Sequence, residues 1–267
     1  MIERADKVSS MTCHHDGVCA KRFFAYAARE KFVERNVLAD WQVRKAPTPY
    51  VKCPTAEELQ ALLRSIVRRW DPKENPSCRS IPARRRTFFR HRNLAIIAGL
   101  IETGCRAGEL FALTMQDYQP QVPQIVIRTS KTDEPRIVPI TPAWMELVNS
   151  YLAVRPKKLD SDYLFVGEYG LPLDVGDFGH ALKRQVEFAG LAGITQHTLR
   201  HYAATNMNDK VGLVAAKALL GHRSIQTTVK YIRDGSRLAA GAQATANTLG
   251  NILQNKSTAR ARRKRII

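Results

Sequence analysis

Six polar side chains in the middle and last thirds of the chain could together carry phosphoryl chemistry: Arg106 in ETGCRAGEL, Lys131 in TSKTDEP, His197 and Arg200 in TQHTLRHYAAT, His222 in LLGHRS and Tyr231 in TTVKYIRD. Two arginines suit the non-bridging oxygens of a phosphodiester, because each guanidinium is a planar fork of donors that matches phosphate and keeps its charge. Lys131 could deliver a proton to a leaving oxygen, and His197 and His222 can change protonation near neutrality. Tyr231 would supply the attacking oxygen. A phenol of pKa about 10 is a poor nucleophile at neutral pH. It improves if a base takes its proton or cations favour phenolate, and His197 and the arginines offer both. The aryl ester formed is a good leaving group, so the step is reversible, which suits strand joining better than hydrolysis. Neither a metal nor another cofactor is needed.

Taken singly, these residues carry little weight. Glu109 follows Arg106 by three positions, which on a helix face would let its carboxylate orient the guanidinium; alone, such a pair reads as a surface ion pair. The three-residue spacing of His197 and Arg200 aims both at one point while Leu199, Tyr202 and Ala203 face the core. That spacing is also a common accident, and a histidine after Gly221 commonly caps a helix or fills a core. The weight lies in the set.

The elements that must position this set can be read from patterning. LAIIAGLIETG, residues 94–104, is apolar almost all round and predicts a buried central helix that stops at Gly104, with Arg106 just past its end. QIVIRTSKTDEPRIVPIT has Ile and Val on both sides of a polar turn and predicts a β-hairpin with Lys131 at or near the tip. Helices are expected over 142–154, 177–189, 196–209 and 211–220, the last stopped by Gly221, with an extended segment at YLFVGEYGLPLD and a weak Ala-rich helix over 237–253. Thr55 and Glu58 have capping-box spacing and open a helix whose Leu59, Leu62, Leu63 and Ile66 share one face. Upstream, 20–36 has helical periodicity and 37–54 reads as a proline-bearing extended linker. The expected fold class is mainly α with a small antiparallel β-sheet (α+β). Residues 1–50 would be a short helical segment and linker, 51–253 the main domain with its C-terminal helix, and 254–267 a basic tail.

Charge indicates the partner. Among 267 residues, 42 Lys and Arg stand against 24 Asp and Glu, a formal net charge of +18, which favours a polyanion and nucleic acid first. Between Glu74 and Glu102 there is no acidic residue, whereas Arg84, Arg85, Arg86, Arg90 and Arg92 fall there. This stretch reads as a DNA-backbone contact rather than merely a solvated basic loop. The tail KSTARARRKRII is basic throughout. No run long and apolar enough to span a membrane and no signal peptide is present, so a cytoplasmic, nucleoid-associated protein is expected. The five cysteines are widely spaced and without a CxxC pair, as for reduced thiols. Cys13, His14, His15 and Cys19 are the nearest approach to a metal cluster, but their spacing fits no structural zinc pattern.

In order, spacing and local apolar context, TGCRAGEL, TSKTDEPRIVPI, HTLRH, LLGHRS and TTVKYIRD resemble the tyrosine recombinase (phage integrase) family over about residues 51–235. The resemblance implies a catalytic domain of the kind shared with type IB topoisomerases. Tyr231 would attack the scissile phosphate to give a 3'-phosphotyrosyl link and release a 5'-hydroxyl. Arg106, Arg200 and His222 would stabilise the transition state, Lys131 would protonate the leaving oxygen, His197 would act as general base and Glu109 would support Arg106. A second 5'-hydroxyl would reverse the attack without metal or ATP. The implied partners are double-stranded DNA and further copies of the chain in a tetrameric synapse. The family's N-terminal clamp domain is matched only in its last helix and linker, by residues 1–50, and 237–253 would pack on its own or a neighbouring subunit. The alternative reading is a DNA-binding accessory or truncated recombinase-like protein not competent for strand exchange.

Overall fold

The computed structural model describes residues 8–44, 52–128, 135–156, 161–221 and Thr228. The chain divides into two compact units, Met1–Val51 and Lys52–Ile267. In the first, helix α1 spans Ser10–Arg29, capped by Ser9, whose side chain accepts from the Thr12 amide. It starts earlier and ends earlier than its apolar spacing predicts. Lys31 adopts φ 59°, and the Phe32 and Lys31 amides donate back to the Ala27 and Ala28 carbonyls, which closes the helix. A lysine where glycine is usual hid this stop. Part of the expected linker also belongs to this unit: Trp41 and Val43 lie against Gly17, where a Cβ would sit 2.8 Å from Val43 Cγ1.

The second unit opens with α2, Ala56–Arg69, and its predicted capping box: the Glu58 amide donates to Thr55 Oγ1 at 3.2 Å and the Thr55 amide to Glu58 Oε2 at 2.8 Å. Leu59, Leu62, Leu63 and Ile66 form its buried stripe. A 3-10 turn at Pro76–Cys78 leads to α3, Ala83–Thr103. Here the expected basic loop is corrected. Arg84 to Arg92 form the first half of a helix whose second half is the predicted buried segment, because arginine is a good helix former and needs no apolar period to continue one. Helices α2, α5 (Pro142–Leu152) and α7 (Gln196–Val211) pack on α3. The α5 contact is close: a Cβ on Gly99 would lie 2.9 Å from Trp144 Cζ2, and Trp144 Nε1 donates to the Ala95 carbonyl at 2.8 Å.

Between α3 and α5 lie the five-residue α4, Ala107–Phe111, and a three-stranded antiparallel sheet in the order β1 (Tyr118–Gln119), β2 (Gln124–Ile127), β3 (Arg136–Pro139). The β2–β3 pair is the predicted hairpin, in register Ile125 to Val138 and Ile127 to Arg136. Strand β1 was not apparent from patterning, as two residues carry no period. Helices α6 (Val175–Phe188) and α8 (Leu213–Leu220) complete the described elements, and Gly221 at φ 70° stops α8 as predicted. The architecture is mainly α with a small antiparallel sheet, as expected. Lys131, His222, Tyr231, the 237–253 segment and the basic tail lie outside the described residues.

Among the described residues no helix is long and apolar enough to cross a membrane. Among the described residues the cysteines form no disulfide. His15 Nδ1 lies 3.6 Å from Cys19 Sγ and His14 Nδ1 2.9 Å from the Arg44 carbonyl oxygen. The described residues hold no group of three or more His, Cys, Asp or Glu that could bind a metal.

Candidate active site

Helix α3 ends at Gly104 in the left-handed region, φ 61°, and the chain turns through Cys105 into α4. Arg106 is the residue before the first turn of α4, with extended backbone. Its amide donates to Glu109 Oε2 at 2.9 Å, and its Nη1 stands 3.5 Å from Glu109 Oε1. The two residues meet, as their spacing predicts, but through a helix cap rather than across a helix face. The Arg106 side chain is 33% exposed and that of Glu109 4%. A buried carboxylate thus anchors an arginine that reaches solvent.

Two further arginines converge on Glu109. Arg200, on α7, is 1% exposed and places Nη1 3.7 Å from Glu109 Oε2. Arg136, on β3, places Nη2 2.7 Å from Oε2 and Nη1 3.4 Å from Oε1, with its side chain 7% exposed. Burial alone would raise the Glu109 carboxyl, but hydrogen bonding and charge from Arg136, the Arg106 amide and the Arg200 charge outweigh it and hold it below its ordinary value. Three cations around one anion leave this spot positive. In a poorly solvated setting that field is much stronger than at the surface.

Helix ends orient the arginines. Arg200 Nη1 donates to the Gly104 carbonyl at 2.7 Å and Nη2 to the Leu220 carbonyl at 2.9 Å, while Arg136 Nε donates to the Leu219 carbonyl at 2.8 Å. These carbonyls belong to the C-terminal ends of α3 and α8, which lack intrahelical partners and carry partial negative charge. Both glycine stops are crowded: a Cβ on Gly104 would lie 3.1 Å from Ala203 Cβ, and one on Gly221 2.9 Å from Arg136 Nη1. Arg136 was missed in the sequence. Its signal is alternation: Val138 is buried and Ile137 is 61% exposed, so the face that buries Val138 also takes Arg136 inward.

His197 leaves the first turn of the same helix as Arg200 but is exposed. It borders a cavity of about 610 Å³ lined by Leu182, Val186, Leu191 and Ile194. The two side chains therefore enter opposite surroundings. The expected core positions Leu199, Tyr202 and Ala203 are buried. Of the residues outside the described set, Lys131 falls in the connection between β2 and β3, His222 follows Gly221 directly, and Tyr231 comes three positions after the buried Thr228.

The five arginines expected to meet DNA divide into two groups. Arg84 is exposed, Arg85 is exposed and pairs with Glu168 at 2.8 Å, and Arg90 is half-buried. Arg86 is turned back onto the carbonyls of Ile81 and Cys78. Arg92 lies over Phe88 and Phe89, 5.3 and 4.9 Å from their ring centres, and donates to the Val166 carbonyl at 3.4 Å. Burial lowers its pKa to about 10, against raising contributions from Tyr151 and Glu168.

With this geometry in view, similarities to known proteins become informative. The phage integrase family profile matches residues 79–236, more than half of the chain. The tyrosine recombinase XerD of Halalkalibacterium halodurans is 32% identical over 217 residues, covering 79% of this chain and 67% of that protein. The tyrosine recombinase XerC of Roseiflexus castenholzii is 27% identical over 235 residues, covering 85% and 69%. Among solved structures, the Tn1549 transposon integrase in complex with circular intermediate DNA aligns with TM-score 0.67 at 20% identity, covering 91% of this chain and 80% of that one. The XerH site-specific recombinase bound to palindromic difH substrate aligns with TM-score 0.66 at 23% identity, covering 85% and 64%.

Proposed function

Because the chain belongs to the phage integrase family, we propose that it is a site-specific DNA recombinase that cleaves and rejoins strands through a 3'-phosphotyrosyl intermediate. The observation that carries this reading is the cluster of Arg106, Arg136 and Arg200 around Glu109. Arg106 and Arg200 of this cluster serve phosphoryl transfer by meeting the charge that develops on the phosphate with donors already in place, so no reorganisation is needed at the moment of reaction. Arg106, the half-buried member that reaches solvent, contacts a non-bridging oxygen. Arg200 adds a fixed charge from the interior. Tyr231 attacks phosphorus as its proton passes to His197, and the P–O5' bond breaks. Lys131 donates a proton to the departing 5'-oxygen and His222 hydrogen-bonds the phosphate. Attack by a 5'-hydroxyl on the phosphotyrosine then forms the new phosphodiester and breaks the P–O bond to Tyr231, the hydroxyl proton passing to Lys131 and His197 returning its proton to the tyrosine oxygen.

The Tn1549 and XerH structures are described as complexes with DNA, and the net charge of +18 fits the same partner here. The contact face is Arg84, Arg85 and Arg90. The Arg85–Glu168 pair is exposed on the arginine side and worth about 1 kcal/mol or less, so a phosphate can replace the carboxylate. Arg86 and Arg92 stiffen the helix that presents this face. Residues 1–50 and 51–253 act as clamp segment and catalytic domain, the 254–267 tail adds backbone affinity, and four copies assemble on two duplexes in the nucleoid. The test is a nicked suicide duplex bearing a cognate site, incubated with the protein and with Tyr231→Phe. A covalent adduct on a denaturing gel is expected with the former and absent with the latter. An adduct that survives Tyr231→Phe, or none with either on a bound cognate site, contradicts the proposal.

A further inference from the structure

Three features stand outside the mechanism above: the apolar cavity beside His197, the aromatic-clad Arg92, and Arg136. Only Arg136 touches several catalytic segments at once. It lies five positions after Lys131, on the strand that continues from that residue's connection, and it holds both oxygens of Glu109, whose carboxylate fixes the Arg106 amide. Its Nε caps the Leu219 carbonyl, three positions before His222. Arg200 caps the next carbonyl, Leu220. The last turn of α8 is thus gripped by two guanidinium groups, one from α7 and one from the sheet. A side chain at Gly221 would enter the space that Arg136 fills.

We propose that Arg136 is a positioning residue that holds three catalytic segments in one register: the Arg106 turn, the hairpin of Lys131 and the end of α8 that leads to His222 and Tyr231. This rests on the recombinase reading for the roles of those residues. Arg136 acts through Glu109 and the α8 carbonyl, not on the phosphate. Its planar fork with a third donor at Nε spans a carboxylate and a carbonyl together, which a single ammonium group does not. Misplacing a reacting group by about 1 Å costs on the order of a hundredfold.

The test compares Arg136→Lys and Arg136→Gln with the unaltered full chain by affinity for a nicked duplex, single-turnover rate of adduct formation, denaturant unfolding, and hydrogen exchange in peptides covering 105–111 and 213–221. Arg136→Lys keeps the charge and is expected to keep the fold and DNA affinity, while cleaving about tenfold to a hundredfold more slowly and exchanging faster in both peptides. Arg136→Gln should also reduce the fall in stability on acidification below pH 4.5, because it raises the folded-state pKa of Glu109. The groups facing Glu109 are Arg106, Arg136, Arg200 and the Cys105 thiol, and this change removes the nearest cation. Unaltered cleavage in both variants, unaltered exchange at 213–221, or a rate loss matched by loss of folded protein would each overturn the assignment. If the unaltered chain forms no adduct, the recombinase reading falls while hydrogen exchange still decides the bridging role.

Discussion

Arg84 and Arg200 carry the same guanidinium into opposite settings. Arg84 stands in solvent on the first turn of α3, whereas Arg200 is 1% exposed and tied to the carbonyls of Gly104 and Leu220. On the α3 face, water and salt screen the charge and neighbouring arginines can substitute for one another. Around Glu109, each guanidinium has a fixed orientation, so position matters as much as charge. The basic surface should govern how much DNA is bound, and the buried cluster what happens to one phosphate.

Breaking the centre of the cluster should have the largest effect. Glu109→Ala leaves buried arginines facing each other without their anion, and a loss of about 3–5 kcal/mol in unfolding free energy is expected by urea titration. A loss under about 1 kcal/mol would mean that these charges are solvated after all. The pH dependence gives a gentler version. Because the Glu109 carboxyl is held below its ordinary value of 4.5, its stabilisation is present above that value and declines as pH falls through the lower folded pKa. Glu109→Gln should therefore flatten the fall in stability on acidification below pH 4.5, read as the urea midpoint.

A smaller change sharpens the contrast between crowded and open positions. Gly221 and Gly190 both have positive φ, 70° and 71°, but only Gly221 would drive a Cβ against Arg136, while Gly190 has open space. Alanine at either should cost roughly 1 kcal/mol for the left-handed backbone. Gly221→Ala should cost more because Arg136 must move, and it should slow cleavage while Gly190→Ala does not. Equal effects at both positions would remove the evidence for a tight Arg136 fit.

Much of the site was legible because its signals are local. The Thr55 box, the Gly104 and Gly221 stops and the β2–β3 alternation are written within a few residues, and they fall where expected. The Arg106–Glu109 pairing was legible as spacing, though not as a cap. What escaped depends on distant packing. Arg136 meets Glu109, 27 positions away, and Leu219, 83 positions away, and no sequence period encodes such encounters. Arg92 likewise meets the Val166 carbonyl, 74 positions away, whereas the contacts of Arg86 with the Ile81 carbonyl and of Arg92 with the Phe88 and Phe89 rings are local and show only once the stretch is placed in a helix.

The most direct test of the central claim, that charge oriented by Glu109 does the chemistry while freely solvated charge binds, is single-turnover cleavage of a suicide duplex by Arg106→Ala and Arg84→Ala across a salt series. Arg106→Ala is predicted to cleave about a hundredfold to a thousandfold more slowly at saturating DNA, with the salt dependence of binding little changed. Arg84→Ala should cleave at nearly the unaltered rate once saturated, with the slope of log affinity against log salt smaller by about 0.9. If both variants lose only affinity, or both lose the same factor in rate, the division of labour between the two arginine clusters is wrong.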